Sequence, residues 1–136
     1  MNIAIVGATG NVGRKTLEVL EKKGLKIDNL YLVASSKSVG LKIKFKGKEY
    51  EVSDLENFDF SKAKIIFFAA GGKISEKFAE KASKNSLVID NSSFFRMDPD
   101  VPLIVPQVNS EDLDSIKKNI IANPNCSTAQ LVIALK

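Results

Sequence analysis

The residues most able to do chemistry lie in Asn123-Pro124-Asn125-Cys126-Ser127-Thr128, which holds the chain's single cysteine. Pro124 stiffens the approach, and a helical pattern begins directly after the cysteine. A sulfur at a helix start is favoured as thiolate over thiol, because the helix N-terminus carries partial positive charge. A thiolate attacks carbonyl carbon. Asn125 stands ready to fix a substrate carbonyl or a phosphate. The competing reading is that Cys126 is a small core residue, and the sequence by itself leaves both open.

A second segment, Gly7-Ala8-Thr9-Gly10-Asn11-Val12-Gly13, spaces its glycines as G-x-x-G-x-x-G. It follows an apolar run and opens a helical one. In such a setting Gly7 makes a tight turn, Gly10 lets backbone approach a pyrophosphate, and Gly13 lets helix and strand pack closely. The helix start then offers unpaired N–H groups to phosphates. Glycine turns also serve structure alone, but the strand–loop–helix context favours a dinucleotide. A cysteine nucleophile beside a hydride carrier points to aldehyde oxidation through a thiohemiacetal and a thioester, or to the reverse.

The next segment selects the cofactor. NAD-binding domains usually place an acidic residue near the end of the second strand, for the ribose 2′-hydroxyl. This chain has Ala34-Ser35-Ser36-Lys37-Ser38 there. Ser35, Lys37 and Ser38 suit a 2′-phosphate by charge and hydrogen bonding, so NADP is expected. A solvated polar loop is the plain alternative.

These segments need elements to position them. Asn2 to Val6 reads as a buried strand. Val12 to about Lys23 reads as a helix, with Thr16, Leu17, Val19 and Leu20 inward and Gly24 as its stop. Leu30 to Ala34 completes a β-α-β unit. Leu41 to Val52 alternates apolar with charged residues about Lys46-Gly47-Lys48, as a hairpin with one wet face does. Ile65 to Ala70 is continuously apolar and reads as a parallel strand covered on both faces. A helix over Ile74 to Lys84, a strand over Leu87 to Asp90 and a loop from Asn91 to Pro106 follow. A short helix from Ser110, a strand over Asn119 to Ala122 and a helix from Ser127 to Lys136 complete the pattern. The fold class expected is α/β: a Rossmann-like, doubly wound, mostly parallel sheet with a small β-hairpin insertion. Residues 1–126 are expected to form the NADP-binding domain. Residues 127–136 would begin a helix leading into a catalytic and dimerisation domain absent from this chain, since Thr128 to Leu135 is mostly apolar and has no C-terminal stop.

Bulk properties narrow the class. The net charge is +4, but the lysines are interleaved with glutamates and no arginine cluster or aromatic stacking set accompanies them. A nucleic-acid partner is therefore not expected. No apolar run approaches the roughly 18 residues that span a bilayer, so no membrane partner is expected. One cysteine excludes an internal disulfide and suits a cytoplasmic setting. No metal site is expected. There is no histidine, so the commonest general base is missing.

The chain resembles aspartate-β-semialdehyde dehydrogenases along nearly its whole length. The resemblance is carried by Gly7 to Gly13, by Ala34-Ser35-Ser36-Lys37-Ser38-Val39-Gly40, and by Ala69-Ala70-Gly71-Gly72. It is strongest in Val88-Ile89-Asp90-Asn91-Ser92-Ser93-Phe94-Phe95-Arg96-Met97-Asp98-Pro99-Asp100-Val101-Pro102-Leu103 and in Asn123 to Thr128. It implies that Gly7, Thr9, Gly10, Asn11, Val12 and Gly13, with Ala70 and Gly71, line the cofactor. It further implies that Lys37 and Ser38 hold the 2′-phosphate, that Arg96 binds the substrate phosphate, that Asn125 positions phosphate or substrate, and that Cys126 forms an acyl-thioester. The implied reaction is NADPH-dependent reduction of L-aspartyl 4-phosphate to L-aspartate 4-semialdehyde, in lysine, threonine, methionine and diaminopimelate synthesis. The parent is implied to be a homodimer or homotetramer. Alone, the chain is expected to bind NADP weakly and not to turn over. Departures from the family pattern are Lys37, where arginine is usual, Ala69, where serine is common, and Gln107, where glutamate is common. Two alternatives remain: an N-acetyl-γ-glutamyl-phosphate reductase, disfavoured by the residues after Cys126, and a stand-alone NADP-binding or redox-sensing module, which needs neither Arg96 nor the Asn-Pro-Asn-Cys turn.

Overall fold

A computed structural model describes every residue from Met1 to Lys136. Seven strands are present: β1 (Asn2–Val6), β2 (Asn29–Ala34), β3 (Lys42–Phe45), β4 (Lys48–Asp54), β5 (Ile65–Phe68), β6 (Leu87–Asp90) and β7 (Ile120–Ala122). The helices are α1 (Asn11–Lys22), α2 (Gly72–Ser83), α3 (Pro106–Asn109) and α4 (Cys126–Leu135). The strands make one sheet in the order β3-β4-β2-β1-β5-β6-β7. Every neighbouring pair is parallel except β3 with β4.

The chain therefore runs outward from β1 to β2 and β4, then crosses back to β5 on the other side of β1. Strand order reverses between β1 and β5, and ligands of open α/β sheets bind outside the carboxyl ends of the strands at such a point. β1 sits at the centre because both its faces are apolar: Ile3, Ala4, Ile5 and Val6 are at most 1% exposed. Ile3 and Ile5 pack with Leu17 and Leu20 of α1. Ala4 and Val6 belong to the opposite core, with Ile66, Phe68 and the α2 residues Phe78, Ala79 and Ala82.

The expected hairpin forms, but it is not a separate insertion. β4 pairs with β2 in parallel, so the hairpin lengthens the main sheet. Its two-residue loop, Lys46-Gly47, has φ of 49° and 77°, the left-handed pair that a tight hairpin needs. Lys46 tolerates this because its N–H donates to Glu21 Oε1 at 2.8 Å and its ammonium to the Leu25 carbonyl at 2.8 Å. Lys42 and Glu49 pair diagonally across the strands at 3.5 Å.

Several expectations need correction. β5 ends at Phe68, not Ala70, and is not covered on both faces. Ile65 and Phe67 are in register with Ile3 and Ile5, so they share the α1 face. There they stay half-buried, as do Leu87, Ile89 and Ile121 alongside, because α1 is packed over β1 and β2. Val19, expected inside, is 45% exposed at the edge of this opening. α2 starts at Gly72, two residues before the first apolar position of its pattern. The segment from Pro106 is one α-turn followed by a 3-10 turn over Ser110–Ser115. No helix is long and apolar enough to cross a membrane.

Candidate nucleotide and thiol site

The functional residues expected from sequence gather at one edge of the sheet, on the loops that leave the carboxyl ends of β1, β2, β5, β6 and β7. Gly7 turns at φ 85° while its N–H donates to the Val33 carbonyl at 2.8 Å. A methyl group there would meet the Ala69 carbonyl oxygen at 2.7 Å and Ala70 N at 2.9 Å. Gly7 thus brings the first turn against the Ala69–Ala70 turn after β5. Gly13 is more tightly enclosed, since its Cβ would stand 2.2 Å from the Gly7 oxygen. That contact draws α1 down onto β1. Gly10 has an ordinary φ of −77°. Its value is backbone openness toward a ligand, not a special conformation.

α1 begins with no side-chain cap and no acidic residue in its first turn. Its leading N–H groups and partial positive charge therefore remain for an anion. Arg14 Nε donates to the Thr9 carbonyl at 3.0 Å and braces the loop from behind. Ser35 leads into a 3-10 turn over Ser36–Ser38 at the end of β2. Lys37 is exposed there and Ser38 half-buried. No acidic side chain occupies this turn, so charge and donors fit a phosphorylated ribose. Gly71 caps α2 at φ 87°, and a methyl there would enter open space.

Cys126 is exposed and is the first residue of α4. Asn125 is the N-cap: its Oδ1 accepts from the N–H groups of Ser127 at 2.9 Å and Thr128 at 3.3 Å. The amide oxygen is therefore committed to the helix, which leaves the Nδ2 donor as the part able to meet a phosphate. Arg96, on the loop after β6, is half-buried. Its Nε donates to the Asn123 carbonyl at 3.0 Å and its Nη2 to the Asn91 carbonyl at 3.3 Å. Two carbonyls fix one edge of the guanidinium, and the rest of its donor fork remains for an anion.

A crevice of about 700 Å³ runs along α1, from Leu25 and Lys23 to Asn11 and Val12, and reaches Cys126. Its lining includes Asn11, Val12 and Thr16 of α1, then Phe67 and Ala69, Ile89 and Asn91, and finally Asn123 and Cys126. The crevice meets the glycine segment only at Asn11 and Val12; Gly7, Thr9, Gly10, Gly13, Ser35, Lys37, Ser38, Ala70, Gly71, Arg96 and Asn125 do not line it. A larger hollow of about 890 Å³ opens at the opposite edge among Lys62, Lys64 and Lys84. It contains no motif residue and lies at the amino ends of β1, β5 and β6, away from the switch point. The smaller crevice is the one that the expected residues Asn11, Val12 and Cys126 line.

Sequence reading missed three contributors. Asp90 is fully buried and accepts from Ser75 Oγ at 2.6 Å, Ser92 Oγ at 2.7 Å and Ser92 N at 3.1 Å. It thereby ties α2 to the Arg96 loop. A carboxylate ending an apolar strand was the available signal, since buried charge demands partners. Asn91 and Asn123 hold Arg96 through their carbonyls, and backbone carbonyls leave no trace in residue type.

The sheet order and the glycine turn define a doubly wound domain of the nucleotide-binding class, with an exposed cysteine beside a crevice along α1. The model for the semialdehyde dehydrogenase NAD-binding domain matches residues 2–116, and the chain belongs to that family. It is 56% identical to an aspartate-semialdehyde dehydrogenase of Aquifex aeolicus over 98% of its own length, and 49% identical to one of Shewanella violacea over 99%. It spans 40% of each of those proteins. Among solved structures, Vibrio cholerae aspartate semialdehyde dehydrogenase II complexed with ASA superposes with a TM-score of 0.97 at 49% identity, covering 99% of this chain and 45% of that one. The Candida albicans enzyme with NADP gives 0.81 at 28% identity, covering 100% and 46%.

Proposed function

We propose that this chain is the NADP-binding and nucleophile-bearing part of an aspartate-semialdehyde dehydrogenase that reduces L-aspartyl 4-phosphate to L-aspartate 4-semialdehyde. The observation that carries this reading is the shared crevice lined by Asn11, Val12 and Cys126. Residues 1–126 supply the cofactor site, and 127–136 lead toward the remainder of the enzyme.

The residues present fit the cofactor. The uncapped start of α1, with Thr9, Gly10, Asn11 and Val12, takes the pyrophosphate, and Gly7 and Gly13 shape that turn. Ser35, Lys37 and Ser38 take the 2′-phosphate, and Ala70 and Gly71 border the site on the β5 side. When bound, NADPH supplies a hydride for the acyl carbon. Cys126 does the covalent work. Its thiolate, at the N-terminus of α4, attacks the acyl carbon of aspartyl phosphate. The C–O bond to phosphate breaks, inorganic phosphate departs beside Arg96 and the Asn125 amide, and sulfur carries the acyl group as a thioester. After reduction the C–S bond breaks, the electron pair returns to sulfur, and the aldehyde leaves. With no histidine in the chain, imidazole proton transfer must come from elsewhere in the enzyme.

Calorimetric titration with NADP and NAD tests the cofactor assignment. The chain should prefer NADP, and Lys37→Glu should weaken NADP binding by about tenfold or more while leaving NAD nearly unchanged, as expected for one charged contact made repulsive. Equal affinity for both cofactors, unaltered by Lys37→Glu, would exclude this assignment.

A further inference from the structure

Arg96 and Cys126 lie on different loops, one after β6 and one after β7, and only non-covalent contacts set their separation. The β6–β7 ladder ends at Asp90 opposite Ala122. The next two residues are Asn91 and Asn123, whose N–H groups still bond to the neighbouring strands but whose carbonyls lie beyond the ladder. Here the pairing is continued by side chains: Asn123 Nδ2 donates to Asn91 Oδ1. The backbone N–H of Asn123 also reaches the Asp90 carbonyl at 2.8 Å, and that of Asn91 reaches the Phe68 carbonyl at 2.9 Å. The carbonyls of this same pair are the two that receive Arg96, at 3.0 and 3.3 Å. Both asparagines line the crevice with Cys126.

A guanidinium is a rigid planar fork, so fixing Nε and one Nη fixes the direction of the whole group. Its aim is only as firm as the two carbonyls that receive it. Those carbonyls sit just past the last backbone bonds of the ladder, where an amide-to-amide bond between the side chains adds a restraint. Asn123 is also joined to Cys126 through Pro124, whose φ is locked, and through the Asn125 cap. A shift of Asn123 would therefore move the guanidinium and the sulfur relative to each other.

We propose that Asn91 and Asn123 are positioning residues whose side-chain clasp aims Arg96 and sets its register with Cys126 for an acyl-phosphate. The inference rests on the reading that Arg96 takes the phosphate. The clasp touches neither substrate nor cofactor in this role. It acts through the two carbonyls.

The test uses the 136-residue chain as it stands. Alkylation of Cys126 by iodoacetamide is followed against inorganic phosphate concentration, and the Arg96 Nε–H is followed by nitrogen-15 NMR. In the unmodified chain phosphate should slow alkylation, Arg96→Ala should abolish that protection, and the Nε–H should exchange slowly. Asn91→Ala and Asn123→Ala should each raise the phosphate midpoint by about tenfold, the scale of one charge-assisted hydrogen bond. Each midpoint is read against that variant's own phosphate-free alkylation rate. The double variant should be no worse than either single one, because one bond is lost in all three. Asn91→Asp keeps the acceptor, so it should retain the slow Nε–H exchange, and it serves as the second variant if an alanine variant fails to fold. Should the alanine variants match the unmodified chain, should their effects add, or should Asn91→Asp lose the slow exchange, the clasp is overturned while the Arg96 reading stands. If phosphate protects the unmodified chain no better than Arg96→Ala, the Arg96 reading fails and the clasp falls with it.

Discussion

At position 13 there is room for a hydrogen and nothing more. A methyl carbon would come within 2.2 Å of the Gly7 oxygen and 2.8 Å of the Ala8 Cα, both backbone atoms that cannot swing aside. Gly13→Ala should therefore lift α1 from β1 and cost at least about 2 kcal/mol, in the range of overpacked cores. A urea midpoint equal to that of the unmodified chain would show that the loop yields. The places of Gly7 and Gly13 were legible in sequence because each answers a local steric demand, whereas Gly10, with an ordinary φ and room for a methyl, answers none. The exposure of Cys126 was only partly legible: its place at a helix start could be read, whereas its opening into a cleft depends on β5 and β6, far away in the chain. Arg96 was singled out through the motif around it. Its anchoring by the Asn91 and Asn123 carbonyls could not be found, because residue type says nothing about where a carbonyl points.

Among the elements, α4 depends on its first turn. Asn125 satisfies two leading N–H groups, so Asn125→Ala should reduce stability by about 1 kcal/mol, the usual worth of an N-cap. Thermal unfolding followed by circular dichroism measures this, and an unchanged midpoint would mean that α4 is held by its neighbours. The Arg96 loop depends on an ion pair instead. Lys118 lies 2.9 Å from Asp98. This hydrogen bond, and then the Asp100 backbone N–H, hold the Asp98 carboxyl below its usual value of 3.8. A carboxyl lowered in the folded state contributes its stability above the unfolded value, and that contribution is lost as the pH falls through 3.8 and toward the folded value. Melting temperature should thus fall below about pH 4 more steeply in the unmodified chain than in Asp98→Asn. Parallel curves would remove the pair from the account. Strands β1 and β6 have the limits that their apolar runs suggest, because a buried strand needs no partner-specific signal. The covering of β5 was misjudged because a continuous apolar run reports that both faces avoid water, not which segment of the protein covers them.

Taken as a whole, the molecule is a sheet finished on one side and open on part of the other. The α2 face holds the larger core. The α1 face leaves Ile65, Phe67, Leu87, Ile89 and Ile121 half-buried, in a chain that spans 40% of its Aquifex and Shewanella relatives. The doubly wound, mostly parallel class was legible, because alternating apolar strands and amphipathic helices permit few right-handed solutions. The fusion of the hairpin to β2 was not, since pairing between distant strands has no local signature. The central claim belongs to this scale: the turn proposed to seat the cofactor phosphates reaches, at Asn11 and Val12, the crevice that Cys126, the proposed nucleophile, also lines. Amide shift mapping by nitrogen-15 NMR during titration with NADP tests it most directly. The account predicts that Gly10, Asn11, Val12, Gly13, Lys37 and Ser38 shift together with Asn91 and Cys126 along a single binding curve. Shifts confined to the Lys62, Lys64 and Lys84 edge, or a glycine-turn response that leaves Asn91 and Cys126 unmoved, would contradict it.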